Sequence, residues 1–299
     1  MTKVVLITGA SMGIGQAIAK ALAARGYRVF GTSRKPVSET LDGFELLPLD
    51  VTSDESVRDC VQTVIQRAGR IDVLVNNAGV DFIGALEETS MEEARWVMET
   101  NFFGVVRMVQ AVLPYMRPQR SGHIINISSG FGQVAFPFEA MYCASKHALE
   151  AYSEGLYYEM MLWNIRVNCV EPGFYHTPMA YNKRLPGAPM PLYDTVREKY
   201  VRLFEWSAEH GGDPAAVGRH VLRLVDTPSQ QLRHPVGWEA VLVTRLSLVP
   251  LLTVPGSKAG RWYFGMDDFG KDMRRYLTFG ALAVSVGSVL AFLRRALKR

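Results

Sequence analysis

Six short apolar runs, at residues 3–8, 27–32, 45–49, 71–75, 122–127 and 165–170, alternate with longer helix-patterned stretches at 14–25, 53–68, 90–117 and 140–163. This alternation limits the fold more than any other feature, because strands joined by helix-length connections pair in parallel rather than as hairpins. The runs are nearly continuous in apolar residues, as in Val4-Val5-Leu6-Ile7, Val73-Leu74-Val75 and Ile124-Ile125. Helices are therefore expected to cover both faces of each strand. With right-handed crossovers the result is an α/β fold built on a doubly wound parallel sheet. A chain of 299 residues, 48% of them hydrophobic, can bury one large core, and one main domain is expected over 1–257. Within it, 174–212 carries Pro178, Pro186, Pro189 and Pro191 among Tyr, Met and Leu, with a helix expected at 193–209. That composition reads as a mobile flap over a substrate.

The first run leads directly into Thr8-Gly9-Ala10-Ser11-Met12-Gly13-Ile14-Gly15, where a helical pattern begins. Glycines without Cβ let a pyrophosphate approach the backbone, and the free N–H groups at a helix start favour that anion. The doubly wound sheet is thus expected to be a Rossmann-type dinucleotide site, with Gly9, Ser11, Met12, Gly13, Ile14 and Gly15 lining the phosphate turn. The second run ends at Ser33-Arg34-Lys35. An NAD enzyme places a carboxylate at this point for the ribose 2′-hydroxyl, whereas Ser33 and Arg34 suit a 2′-phosphate. NADP(H) is expected in preference to NAD(H).

Tyr142 and Lys146 lie four residues apart on a helical pattern, so both point from one face. A phenol with a pKa near ~10 is a poor base at neutral pH, and a nearby ammonium is expected to draw it towards the working range. Ser129 follows the run 122–127, at the sheet edge where ligands bind, and its hydroxyl could hold a substrate oxygen.

On these residues the chain resembles the short-chain dehydrogenases/reductases with a core of about 250 residues. The resemblance covers 3 to about 180. It implies a contact of Asp50 and Val51 with adenine, a cofactor-binding turn at Asn77, Ala78 and Gly79, and a nicotinamide segment at Pro172, Gly173 and Thr177. It also implies that Asn101 links the lysine to solvent through a water, and that Tyr142 and Lys146 touch the nicotinamide ribose while Ser129 and Tyr142 act on the substrate oxygen. The expected activity is interconversion of a carbonyl and its alcohol. Glu171, before Pro172-Gly173, is similar to the hydroxysteroid and retinol dehydrogenase branch and points to a lipophilic substrate. Homodimers or homotetramers are implied as well.

Residues 258–299 hold nine Lys or Arg against three Asp, while the remainder holds 24 basic and 26 acidic residues. That distribution argues against a nucleic-acid surface and towards an anionic partner near the C-terminus, such as a membrane. The stretch 277–293 is seventeen uncharged residues, the short end of what spans a hydrocarbon layer of about 30 Å. It is expected to be a C-terminal hydrophobic helix in the tail 258–299; spanning, interfacial and protein-packed placements all remain open. Cys60, Cys143 and Cys169 show neither paired nor metal-binding spacing, so no disulfide or metal is expected. With no room for a secretory signal, a cytoplasmic location with membrane attachment follows. The competing readings are an NADP(H)-binding sensor or scaffold without turnover, and a soluble reductase of small ketones.

Overall fold

The computed structural model describes residues 2–35 and 43–246; the expected tail helix at 277–293 lies outside them. The strands are β1 (Val4–Ile7), β2 (Arg28–Ser33), β3 (Glu45–Pro48), β4 (Val73–Asn76), β5 (Gly122–Ile127), β6 (Ile165–Pro172) and β7 (Arg233–Val236). All pair in parallel, in the order β3-β2-β1-β4-β5-β6-β7. The helices are α1 (Gly13–Ala24), α2 (Asp54–Ala68), α3 (Met91–Met98), α4 (Gly104–Gln119), α5 (Ala140–Met161), α6 (Pro191–Glu209), α7 (Ala215–Asp226) and α8 (Trp238–Leu246). The doubly wound Rossmann-type sheet expected from the sequence is present. Among the described residues no helix is long and apolar enough to cross a membrane.

Neighbouring residues on one strand serve opposite cores. Leu6 joins Phe30, Leu74 and Ile124 beneath α2, α4 and α5, through Val61, Val109 and Leu149. Val5 and Ile7 instead join Val73, Val75 and Ile125 beneath α1 and α7, through Ile18, Leu22 and Val221. Alternation of Cβ direction along a strand produces this split, and it explains why Val4-Val5-Leu6-Ile7 and Val73-Leu74-Val75 carry no polar side chain. Each such buried side chain contributes about 1.5–3 kcal/mol before the cost of ordering it. Because β1 is flanked by β2 on one side and β4 on the other, the chain reverses direction across the sheet there. A crevice opens beyond the carboxyl ends of β1 and β4.

Two local features differ from the sequence expectation. The stretch expected as one helix at 90–117 is divided into α3, a π-helical turn at Glu99–Phe103, and α4. The extra residue in that turn carries Asn101 into the interior, where its side chain bonds outside its own helix. The segment after β6 is also docked rather than loose. Glu88 accepts from Met190 N (3.1 Å) and Arg197 Nη1 (2.6 Å), and Glu93 accepts from Gly187 N (2.8 Å). Arg184 exchanges backbone bonds with Asp81 and Ile83 (both 3.0 Å), so 184–197 is fixed against 81–93 at several points.

Candidate active site

The turn between β1 and α1 folds as its glycines require. Gly9 and Gly13 have φ of +67° and +58°, a region unfavourable for other residues. A Cβ on Gly15 would lie 2.2 Å from Gly9 O and 2.4 Å from Asn77 Nδ2. Asn77 Nδ2 donates to Thr8 O and Gly9 O (3.0 and 2.9 Å), while Thr8 Oγ1 accepts from Asn77 N and Ala78 N (both 2.9 Å). These bonds lock the loop after β4 against the glycine turn and set Gly79 beside Asn101. Helix α1 starts at Met12 with no side-chain cap and no acid in its first turn. Its leading N–H groups and positive dipole end are left for an anion. Thr177 lies over this start, since a Cβ on Gly13 would meet its Cβ at 3.5 Å. The residues therefore fit a dinucleotide, with Ser11, Met12, Gly13 and Ile14 at its pyrophosphate and Thr177 covering it.

At the end of β2, Ser33 Oγ is held in a local turn by Lys35 N (3.3 Å), and Arg34 is exposed. Burial works to raise the Asp50 carboxyl, but hydrogen bonds from Thr52 and the charges of Arg34 and Arg107 outweigh it and hold it below its ordinary 3.8. Val51 packs against Gly104, where a Cβ would come within 2.8 Å of Val51 Cγ2. On the far side of the crevice, Gly173 follows Pro172 and its N–H donates to Val236 O (2.9 Å), which ties the nicotinamide segment to β7.

The four expected catalytic residues converge. Tyr142 and Lys146 occupy adjacent turns of α5, with Lys146 Nζ 5.7 Å from the Tyr142 ring centroid and donating to Ile127 O (3.0 Å). Ser129 follows β5; its Oγ accepts from Phe131 N (3.1 Å), and the hydroxyl faces the Tyr142 phenol. Asn101 receives Val80 N on Oδ1 (2.8 Å) and donates through Nδ2 to Val80 O (2.9 Å) and Ser145 Oγ (3.0 Å). Its side chain thus ties the loop after β4 to the helix carrying Tyr142 and Lys146.

The electrostatics depart from the expectation that the lysine draws the phenol downwards. Burial pushes the Tyr142 phenol well above its ordinary 10, and the charges of Asp81 and Glu139 push the same way; only the Ser129 hydroxyl pulls against them appreciably. Burial also lowers the Lys146 ammonium to about 8. The resting phenol is therefore protonated. The sequence reading did not include these two carboxylates. Asp81 lies just beyond Gly79, and Glu139 lies one turn before Tyr142 at the head of α5, a spacing that was available as a signal. Aromatic rings complete the wall: Phe131 meets Tyr142, Phe136 and Phe174 at centroid distances of 6.1, 4.2 and 5.9 Å, and Phe138 meets Tyr200 at 5.8 Å.

Comparison with known proteins agrees with this geometry. The short chain dehydrogenase family matches over residues 3–186. The chain is 40% identical over 263 residues to a 3-ketodihydrosphingosine reductase from Bacteroides thetaiotaomicron, covering 87% of this chain and 93% of that one. It is 43% identical over 184 residues to retinol dehydrogenase 8 from Bos taurus, covering 57% of this chain and 58% of that one. A crystal structure of a short-chain dehydrogenase from Streptomyces avermitilis superposes with a TM-score of 0.75 at 36% identity, covering 91% of this chain and all of that one. Fold and site together define a nicotinamide-dinucleotide oxidoreductase acting on alcohols and carbonyls. The chain belongs to the short-chain dehydrogenase/reductase family.

Proposed function

We propose that this chain is an NADP(H)-dependent reductase of a long-chain or otherwise lipophilic ketone. The observation that carries the reading is a buried, protonated Tyr142 phenol facing Ser129 beneath an aromatic wall. A phenol that carries its proton at neutral pH is in the protonation state from which a carbonyl oxygen is protonated, the state in which reduction starts. Ser33 and Arg34 at the end of β2, with no acid at that position, support NADP(H). The relative named for 3-ketodihydrosphingosine supports a long-chain ketone.

When bound, the dinucleotide supplies the hydride that reduces the carbonyl carbon. Tyr142 gives its proton to the carbonyl oxygen. The Ser129 hydroxyl, whose oxygen already accepts from Phe131 N, has its own hydrogen available to hold that oxygen as charge develops on it. Lys146, an ammonium below about pH 8, stabilises the phenolate left behind. Asn101 holds the loop and helix in register through Val80 and Ser145. In this reading the enzyme works in the cytoplasm as a homodimer or homotetramer attached to a membrane through 277–293, where a lipophilic ketone is available. Loss of membrane recovery on deleting 271–299 tests the attachment.

The decisive experiment is NADPH oxidation by the full chain in mild detergent with long-chain 3-ketones, beside NADH and Tyr142→Phe. Turnover that prefers NADPH and falls about 10²–10⁴-fold in Tyr142→Phe is expected, with NADPH affinity unchanged. Undiminished turnover in Tyr142→Phe would overturn the assignment.

A further inference from the structure

A second pair of buried acids joins the three elements on which the reduction depends. Glu171 stands in β6 just before Pro172-Gly173, and Glu150 lies on α5 one turn beyond Lys146. They are 0% and 4% exposed. Glu171 Oε1 accepts from Gln133 Nε2 (2.8 Å), while Glu150 accepts from Arg233 Nε on one oxygen and from Cys169 Sγ on the other (both 3.1 Å). The two carboxyls also hydrogen-bond to each other, which requires that one of them carry a proton. That proton belongs to Glu171. Its Oε2 receives no bond and so can donate one, whereas Glu150 is the ion-pair partner of Arg233. Burial, and after it the charge of Glu150, pushes the Glu171 carboxyl up to about 8 against the pull of Gln133 and Arg233. The other titratable groups around the pair are Lys146 on α5, Cys169 on β6 and Arg233 on β7, with Glu154 beyond the guanidinium. Cys169 is neutral, because burial pushes its thiol well above its ordinary 9.

The network lies where the site needs register. Gln133 closes the short turn Gly130–Gly132 that follows Ser129: its backbone N–H donates to Gly130 O (3.1 Å), and Gly132 N donates to Ser129 O (2.9 Å). This turn sits directly on Glu150, since a Cβ on Gly132 would come within 3.0 Å of Glu150 Cγ. Glu171 therefore ties the Ser129 turn through Gln133 and the helix of Tyr142 and Lys146 through Glu150. It ties the nicotinamide segment through its own backbone, which runs on to Gly173 and its bond to Val236 O (2.9 Å). Burying carboxyls is costly where apolar side chains could fill the same space, and a buried polar network with every member satisfied fixes geometry in return.

We propose that Glu171 is a positioning residue: as a neutral acid that donates to Glu150 and accepts from Gln133, it holds the Ser129 hydroxyl in register with Tyr142, Lys146 and the nicotinamide segment. This rests on the assignment of Ser129 and Tyr142 to the ketone oxygen made above. No step of the reaction passes through Glu171 itself. Loss of its proton sets two carboxylates against each other, breaks the bond between them and releases the turn, so the device fails as the medium becomes alkaline.

The test compares Glu171→Leu and Glu171→Gln in steady-state NADPH oxidation by the full chain, with thermal melting to check the fold. Leucine fills the space without either bond and should lower kcat about 10- to 100-fold at about pH 7, with KM for NADPH nearly unchanged, as expected of a misplaced group. Glutamine reproduces the neutral acid, with an amide N–H for Glu150 and an amide oxygen for Gln133, and should restore most of kcat. At about pH 9.5 glutamine has no proton to lose and should exceed the wild type at least about threefold; loss of the Lys146 ammonium affects both chains alike and cancels in the ratio. Leucine at wild-type kcat, glutamine as poor as leucine, or a glutamine-to-wild-type ratio that does not change with pH overturns the proposal. If the leucine chain does not fold, that ratio decides. Infrared difference spectra between about pH 6.5 and about pH 9.5 give a second readout: the wild type should lose a protonated-carboxyl band that Glu171→Gln lacks, and its absence from the wild type also overturns the proposal. Absence of turnover with any long-chain ketone would instead overturn the substrate reading, while the infrared band still decides the proton on Glu171.

Discussion

Replacing Glu88 by Ala should release the segment over the active site without unfolding the sheet. The Glu88 carboxylate is 6% exposed and accepts three donors: Ala85 N at 3.0 Å, Met190 N at 3.1 Å and Arg197 Nη1 at 2.6 Å. The last two cross from the covering segment, and Arg197 is itself 8% exposed, with its other amino group bonded to Asp194 on its own helix. Charge-assisted bonds contribute about 1.5–3 kcal/mol each, and breaking a buried ion pair from one side costs about 3–5 kcal/mol. About 3–5 kcal/mol should therefore leave the local closing equilibrium, raising amide exchange in 186–200 by about 10²- to 10⁴-fold. Native-state hydrogen exchange resolved by peptide is the assay. Amides of β4 and β5 should stay protected, and KM for ketone should rise. Glu88→Gln, which keeps one oxygen for a donor, should recover part of the protection. Unchanged exchange in 186–200, or an equal loss across β4 and β5, would show that these contacts do not gate the site.

Three further outcomes follow from the geometry. Gly15→Ala places a Cβ 2.2 Å from a backbone oxygen and 2.4 Å from an amide nitrogen already bonded to that oxygen. It should cost about 1–3 kcal/mol and weaken NADP(H) binding at least tenfold, read by fluorescence titration; unchanged affinity would contradict the tight turn. Arg34→Glu should weaken NADPH about 10- to 100-fold while leaving NADH within a factor of a few, and equal effects on both would argue against a 2′-phosphate contact. Burial lowers His123 from its ordinary 6.5 to about 4. Because the unfolded chain takes up this proton first, the contribution of His123 to stability should be flat above pH 6.5 and fall by up to about 3 kcal/mol as pH drops to about 4, which reads as the difference between the wild type and His123→Gln. Urea titrations across that range should show the slope, and His123→Gln should flatten it.

Much of this site was legible because its chemistry is local in sequence. Thr8 to Gly15 and Tyr142 to Lys146 each fall within one turn or two, so spacing alone brings them together. Apolar continuity in β1, β4 and β5 likewise identifies strands covered on both faces. Strand β7 escaped because Arg233-His234-Pro235-Val236 is short and contains a proline, tolerable at the sheet edge where β7 sits. The apolar face of α7, with Val217, Val221, Leu224 and Val225, was present as a pattern but had no recognised strand to serve. The π turn was hidden because Asn101 is unremarkable within a helical pattern, and its partners Val80 and Ser145 come from other elements. The upward shift of Tyr142 was missed for the same reason. Asp81 and Glu139 read singly as a loop acid and a helix-start acid, and only the closure of α6 over them turns them into a buried pair.

That pair changes what the catalytic tyrosine needs. Asp81 and Glu139 hydrogen-bond to each other, and their charges hold the proton on Tyr142 against the Lys146 ammonium, which favours a phenolate. Proton release therefore becomes favourable only as negative charge develops on the carbonyl oxygen, which is when that oxygen is basic enough to take the proton. An interaction that lowers the energy of the charged phenolate more than that of the neutral phenol is stronger after proton transfer than before, which is the condition for it to accelerate the chemical step as well as to bind. Asn101 is placed to enforce this coupling, because its bonds to Val80 and Ser145 join the loop that carries Asp81 to the helix that carries Tyr142. The acid pair and the tyrosine it keeps protonated are therefore held in one register by a single buried amide.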